Sequence, residues 1–499
     1  MLSAVSTDLM RKSDLATIEG GVSGIELMYR AATGVYNSVK WNGKIAIISG
    51  SGNNAGDGYA LALILKENGF DCDIVLISED KFSPDGKYYF ERCKKSEIRT
   101  LPREKCDFSS YDIIVDCIFG TGFKGVPREP ERAVIEAINK SGAYVVSVDI
   151  NSGLNGDSGM YECAVRSDIT ISIGTLKSGH FLGMAKNIIG KIVNCPIGIE
   201  IIDTPYGIFE DGDCKRAFKE RKAFSNKGDY GYVALIGGCM EYSGAIKLAN
   251  LALSSLKMGA GVVKLATGKS LYPSVSPYLV ESTFYPLSDK DGSTVFVKEE
   301  IDGLLKGVRA AAIGMGMGCN EETYKIVKYV LENYAITVVI DADGLNAISK
   351  YGIDILKNTK CNLVITPHPK EFERLSGIPI KGILDDPINS ALDFAKKYGC
   401  TVLLKGASTV ITDGKDVLIS TSGTAGMATA GSGDVLSGIL LGILSQGDGV
   451  CDTLTLVSAG AYINGKAGEL AEKRTNIISM TSTDTVNAIA DTVKNILKL

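Results

Sequence analysis

The chain has 499 residues, too many for one ordinary hydrophobic core, so two large domains or three small ones are expected. Hydrophobic residues at 45% and charged residues at 22% exclude wholesale disorder, and a net charge of −5 argues against nucleic-acid binding through a general basic surface. No run reaches the roughly 18 uncharged apolar residues needed to cross a bilayer, and acids interrupt the opening segment before a signal-like apolar stretch forms. A cytoplasmic, multidomain protein without membrane contact is expected.

Two helices are predicted first, at Thr7 to Glu19 and Ile25 to Val39, with Gly20 and Gly21 between them. Apolar runs follow at Lys44 to Gly50, Cys72 to Ser78, Tyr111 to Phe119, Tyr144 to Ile150 and Ser167 to Gly174. Helical stretches such as Tyr59 to Asn68 and Glu131 to Ser141 separate them. Runs that are apolar at every position mark strands covered on both faces, and their alternation with helices predicts a doubly wound parallel sheet. The rhythm breaks in the charge-dense stretch Asp211 to Arg221, which predicts domains over 1–212 and 222–499. A second α/β series follows, YVALIGG, VVKLAT, AAIGMG, VVIDADGL, LVITPH and TVLLKG, ending in three helices from Asp434 onward. There is no repeat at solenoid period, and the second half does not copy the first.

Residue counts prune the chemistry. With only two histidines, His180 and His368, a zinc site of several imidazoles is excluded. The 12 cysteines form no CxxC pair and read as reduced, mostly buried thiols. Glycine, at 57 residues, is in excess, and it concentrates in short clusters after apolar runs, the pattern of ligand-binding turns.

The first cluster, GSGNNAGDG at Gly50 to Gly58, follows the first strand. Such a turn lets backbone amides approach a phosphate. Its spelling also fits a hydride-transferring Rossmann domain, with Glu79 or Asp80 as the ribose acid. Consecutive Asn53 and Asn54, then Asp57, point beyond that to oxygen ligands or hydrogen bonds to a polar ligand. DCIFGTGFKG (Asp116 to Gly125) and SVDINSGLNGD (Ser147 to Asp157) end the next strands, with Asp116, Asp149 and Ser152 at the carboxyl edge. Three such loops on one rim predict a shared pocket.

In the second half, GTAGMATAGSGDVLSGILLGILSQG runs small residues into a helix. The amides of Ser432, Gly433 and Asp434 would form an anion hole there, with Asp434 as base. LLKGASTVITDG offers Lys405 and Thr409 on a strand-loop-strand suited to nucleotide phosphates. His368, held between two prolines in TPHPKE, tops a strand on the same rim as VIDADGLN. His180, in LKSGHFLGM, has no comparable context and is left without a role. No Walker A motif occurs, which excludes the P-loop class.

These motifs, over nearly the whole chain, resemble the bifunctional NAD(P)H-hydrate repair enzymes, in which a YjeF-type epimerase is fused to a ribokinase-like dehydratase. The loop at Gly50 to Gly58 is similar to the family's GxGNNGGDG with Ala55 for one glycine, and VDINSG has Asn151 where proline is usual, a change expected to loosen the turn. The second half is similar in YSGA, DADGLN, TPHPKE, KGAST and GMATAGSGD. It departs at GMGMG, at Lys370, and at Asn226, where a histidine is usual.

The resemblance implies a Rossmann-like first domain and a ribokinase-like second one. Asn54, Asp116 and Ser152 would help bind a potassium ion. The hydrate would be held by Asn53, Asn54, Ala55, Gly56 and Asp57, by Gly120, Thr121, Gly122, Phe123, Lys124, Gly125 and Val126, and by Asp149. In the dehydratase, Ala245, Gly316, His368 and Asp434 would meet the substrate. Lys405, Gly406, Ala407, Ser408, Thr409 and Gly433 would hold the nucleotide, accompanied by magnesium. The implied isomerase activity interconverts the R and S hydrates at C6, with Asp149 as acid/base group and Lys124 as a weaker assistant. The implied lyase activity dehydrates the S form with ADP as phosphoryl donor, or ATP as in eukaryotic single-domain relatives. Partners would be these small molecules and further copies of the chain in a homo-oligomer. Rival readings are a small-molecule kinase of hydroxymethylpyrimidine type, a non-catalytic first domain, and an oxidoreductase.

Overall fold

The computed structural model describes residues 2–78, 81–218, 220–254, 258–446 and 451–498. Glu79 and Asp80, the predicted ribose acids, lie outside the described residues. The chain forms two compact units, Ser3–Tyr206 and Gly207–Leu499 joined by the first two residues. No helix among the described residues is long and apolar enough to cross a membrane.

In the N-terminal unit seven strands form one parallel sheet, in the order Thr100–Pro102, Cys72–Leu76, Ile45–Ser49, Ile113–Cys117, Tyr144–Val148, Ser167–Ile173 and Ile189–Cys195. Alternate residues of one strand serve opposite cores. Ile45 and Ile47 pack with Leu27, Met28, Leu61 and Phe90, whereas Ala46 and Ile48 pack with Val134, Ile135 and Ile138. That two-sided burial is why the strands read as unbroken apolar runs. The chain leaves Ile45–Ser49 toward one side of the sheet and returns to the other at Ile113–Cys117, so the switch point, where open α/β sheets bind ligands, lies between those two strands. Ile189–Cys195 was not predicted, because its outward positions are polar and partly exposed.

The Gly-rich turn is shorter than expected. Helix Asn53–Glu67 begins inside the motif rather than at Tyr59, with Gly52 as its cap. Close packing explains the glycines within it. A Cβ on Gly56 would lie 2.5 Å from Met28 Cε, and one on Gly58 would lie 2.9 Å from both Cys117 Sγ and Ile47 Cγ2. Gly58 lets the helix sit low on the sheet and Gly56 lets it approach helix Gly24–Ser38, which together carry Asn53, Asn54 and Asp57 to the sheet's edge.

The C-terminal unit is built on strands in the order Thr283–Leu287, Val262–Gly268, Tyr232–Ile236, Val308–Ile313, Thr337–Ile340, Asn362–Ile365 and Thr401–Leu404, all parallel. Thr409–Thr412 and Val417–Ser420 continue the sheet antiparallel, and Tyr206–Ile208 adds to Val417–Ser420. Three helices, Ser432–Leu444, Thr453–Arg474 and Ser482–Leu497, follow. The division between the units falls at Tyr206 and Gly207, before the charged stretch from Asp211 to Arg221. Phe209, Cys214 and Ala217 explain the difference, because they are buried in the C-terminal core among polar neighbours.

Candidate functional sites

The carboxyl ends of the N-terminal strands surround a cavity of about 520 Å³. Its wall takes Asn53, Asn54 and Asp57 from the first helix of the sheet, Gly120 to Phe123 from the loop after Cys117, and Asp149 from the loop after Val148. Ala55 and Gly56 lie behind this wall, buried, and Lys124, Gly125 and Val126 are exposed beyond it. The sequence motifs thus converge, except at these five positions.

Asp116 is fully buried and carries a dense donor set. Ser152 Oγ donates to its Oδ1 at 2.5 Å, while Ser147 Oγ and Ser152 N donate to Oδ2 at 2.9 Å each. Burial still pushes its carboxyl up, against those hydrogen bonds, and among the described residues no basic side chain pairs with it. Beside it, Asn54 Nδ2 donates to the carbonyls of Phe119 and Val148 at 2.8 and 3.2 Å, and Asn54 Oδ1 is buried without a hydrogen-bond partner. Asn151 corrects the sequence expectation. It is fully buried, donating to Val165 O and Ser167 Oγ at 2.9 Å each and accepting from Thr170 Oγ1 at 2.5 Å, so it pins the turn rather than loosening it.

Two residues without an expected role meet at Asp149. Lys177 ends the strand Leu176–Lys177, which pairs with Ala4 and Val5, and its ammonium lies 2.5 Å from Asp149 Oδ1. His180 Nε2 lies 3.0 Å from the Asp149 carbonyl oxygen. Burial pushes the Asp149 carboxyl up, but Lys177 outweighs it and holds the group below the usual carboxylate range. Asp57 behaves in the opposite way: burial, then the Asp149 and Asp14 carboxylates, push it well above that range. A single lysine in a two-residue strand gave no periodic signal. The only cue was a lysine and a histidine three residues apart just after a rim strand.

In the C-terminal unit the rim strands bring together Asp341, Glu371, Lys405 and Asp434. Lys405 Nζ is 2.9 Å from Asp341 Oδ1 and 3.8 Å from Glu371 Oε2, and Ser437 Oγ donates to Asp341 Oδ2 at 2.8 Å. Asp434 stands in the first turn of helix Ser432–Leu444, and among the described residues no lysine forms an ion pair with it. Burial, then the Asp341 charge, push it up to about 7 despite Lys405. Gly433 lies against this cluster, where a Cβ would come within 3.4 Å of Lys405 Nζ. Lys405, predicted on nucleotide phosphates, therefore spends its ammonium on carboxylates. Of its neighbours, Gly406 and Ala407 are exposed, Ser408 is buried, and Thr409 opens the antiparallel strand.

Gly316, at φ +63°, abuts Ala245: a Cβ there would meet the Ala245 Cβ at 3.0 Å and the Tyr242 carbonyl at 2.5 Å. His368 caps helix Pro369–Ser376, its Nδ1 accepting from Lys370 N and Glu371 N at 3.1 and 3.3 Å. Backbone amides only donate, so the neutral ring carries its proton on Nε2. His368 presents a donor, not a base. Asn226 caps a short turn, accepting from Gly228 N at 2.8 Å.

The fold and these two rims define a two-domain α/β enzyme, one half doubly wound and the other carrying a GSGD helix start. Family models agree domain by domain. Residues 24–179 match the YjeF-related protein N-terminus and residues 233–491 match NAD(P)H-hydrate dehydratase. The bifunctional NAD(P)H-hydrate repair enzyme of Archaeoglobus fulgidus is 34% identical over 95% of this chain and 95% of its own length. That of Thermofilum pendens is 33% identical over 89% and 86%. A solved structure, the ADP/ATP-dependent NAD(P)H-hydrate dehydratase of Bacillus subtilis crystallised with ATP and magnesium, is 26% identical with a TM-score of 0.51, covering 58% of this chain and 99% of its own. The chain belongs to the family of bifunctional NAD(P)H-hydrate repair enzymes, with a first domain of the epimerase type and a second of the dehydratase type.

Proposed function

We propose that the first domain interconverts the R and S hydrates of NADH and NADPH at C6, and that the second dehydrates the S form with ADP, giving AMP and phosphate. The observation that carries this reading is a buried carboxyl at each of two separate strand rims, Asp149 paired directly with Lys177 and Asp434 beside the Lys405–Asp341 pair and pushed up to about 7.

In the second domain, Asp434 takes the C6 hydroxyl proton as that oxygen attacks the terminal phosphorus of ADP, releasing AMP. A carboxyl titrating near neutrality suits a general base. The C6–O bond then breaks with its electron pair on phosphate, the C5–H pair forms the double bond, and the released phosphate takes up the C5 proton. Amides at the start of helix Ser432–Leu444 face the transferring phosphoryl group. Among the described residues no three His, Cys, Asp or Glu side chains could hold a metal ion, so magnesium would ride on nucleotide phosphates and water.

In the first domain, C6 lies next to the ring nitrogen, so the C6–O pair leaves as the nitrogen lone pair forms an iminium. Water returns to the other face and gives a proton to Asp149, a carboxylate because Lys177 keeps it one, and Asp149 passes that proton to the departed hydroxide, so water is regenerated and the site is reset. Asn54 Oδ1, Asp116 and Ser152 fit a potassium ion. A partnerless buried amide oxygen beside a buried carboxylate without a cation is the donor set one would satisfy. Bound there, the ion would supply fixed positive charge beside Asn54 of the cavity wall.

Racemic NADH hydrate with ADP and magnesium tests both activities. Complete recovery of reduced nicotinamide absorbance is expected, and a halt near half is expected for Asp149→Asn. Wild type halting near half would contradict the epimerase assignment, and no recovery would contradict the dehydratase.

A further inference from the structure

Lys177 and His180 are buried and carry no step of the reaction above. The Lys177 side chain is 1% exposed and lies behind Asp149, whose side chain is 14% exposed on the cavity wall. Its ammonium has three donors. They have three acceptors: Asp149 Oδ1 at 2.5 Å, the Ile173 carbonyl at 2.7 Å and Ser172 Oγ at 3.3 Å. With all three donors engaged, the Lys177 side chain is fixed in place behind Asp149.

His180 is locked as firmly. Its Nδ1 accepts from the Lys177 backbone N–H at 3.1 Å, and a backbone N–H only donates, so the ring proton sits on Nε2. That proton is donated to the Asp149 carbonyl oxygen at 3.0 Å. Burial and the Lys177 charge push His180 down to about 3, which keeps the ring neutral.

Asp149 needs such restraint. Its φ of +68° lies in the left-handed region, uncommon for a residue with a side chain. Strained conformations persist where the surroundings over-determine them. Here Asp149 N donates to Ile171 O at 2.8 Å, its carbonyl is held by His180, Oδ1 by Lys177, and Oδ2 meets the Thr121 N–H at 3.3 Å. We propose that Lys177 and His180 are positioning residues of the epimerase site: together they fix the Asp149 backbone and one carboxylate oxygen, leaving Oδ2, beside Gly120 and Thr121, to exchange the proton with the hydrate. The inference rests on the epimerase reading of this domain.

A merely structural ion pair would not control proton exchange, so the test separates the two. The charged or titratable groups acting on Asp149 are Lys177 and His180 behind it, Asp57 from helix Asn53–Glu67 and Asp14 from helix Thr7–Glu19. Full-length Lys177→Met is assayed with racemic NADH hydrate, ADP and magnesium, the first half of the recovery serving as internal reference. The second phase should lose about 10–100-fold in kcat, the range for groups that orient reactive ones, with KM little changed. Its acid limb should move to higher pH, because burial at Asp149 is no longer offset. Wild-type kcat, or a loss confined to KM with an unmoved acid limb, would overturn the proposal. If limited proteolysis finds the first domain of Lys177→Met unfolded, His180→Gln decides. It should lower kcat at constant KM and retain more activity than His180→Ala, and wild-type kcat in His180→Gln overturns the proposal. Wild type stopping near half recovery would instead refute the epimerase reading itself.

Discussion

Each domain sets one lysine among carboxylates at the ends of parallel strands, but the lysine chooses a different partner. In the N-terminal site Lys177 pairs with Asp149 itself, whereas in the C-terminal site Lys405 pairs with Asp341 and leaves Asp434 without a direct partner. Asp149 is thereby held below the usual carboxylate range, while Asp434 rises to about 7. The same two residue types give a carboxyl held below its usual range in one case and a group poised at neutrality in the other. What differs is which oxygen the ammonium reaches.

The largest effect that sharpens this comparison is expected from Asp434→Asn. Loss of a general base costs about 10²–10⁴-fold, so dehydration of the S hydrate should nearly stop while R-to-S interconversion, followed without ADP, continues. Equal loss of both activities would break the separation of the two sites. A smaller effect is expected from replacing potassium by tetramethylammonium at constant ionic strength. Epimerisation should slow, because Asp116 has no basic partner, with dehydration measured alongside as reference. An unchanged epimerase rate would remove the ion from the account.

Much of the site was legible because its residues sit in Gly-rich segments at strand ends. Asn54, Asp116, Asp149 and Ser152 were named from spacing and resemblance; Asn54 and Asp149 line one cavity, and Asp116 and Ser152 are hydrogen-bonded to each other, fully buried outside its lining. Lys177 and His180 were not legible, because their roles arise when Leu176–Lys177 pairs with the chain's first strand, a contact spanning over 170 residues that no local pattern encodes. Lys405 was legible as a site residue but not in its partner. The KGAST spelling suggested phosphate, and only the fold reveals Asp341 beside its ammonium. The glycines at 56 and 58 were read as part of a turn that lets backbone amides approach a phosphate, yet they serve close helix packing, since a tight approach leaves the same spelling as a ligand-binding turn.

The most direct measurement is the pH dependence of the two activities on one preparation: dehydration of S hydrate with ADP, and R-to-S interconversion without it, between pH 5 and 8. A general base works deprotonated. Dehydration should therefore fall as pH drops through about 7, approaching about tenfold per unit, as Asp434 takes up its proton. Interconversion should hold its rate across the same range, because Lys177 keeps Asp149 ionised. A shared acid limb, or dehydration that is flat through pH 7, would contradict the claim that lysine placement sets the two charge states apart.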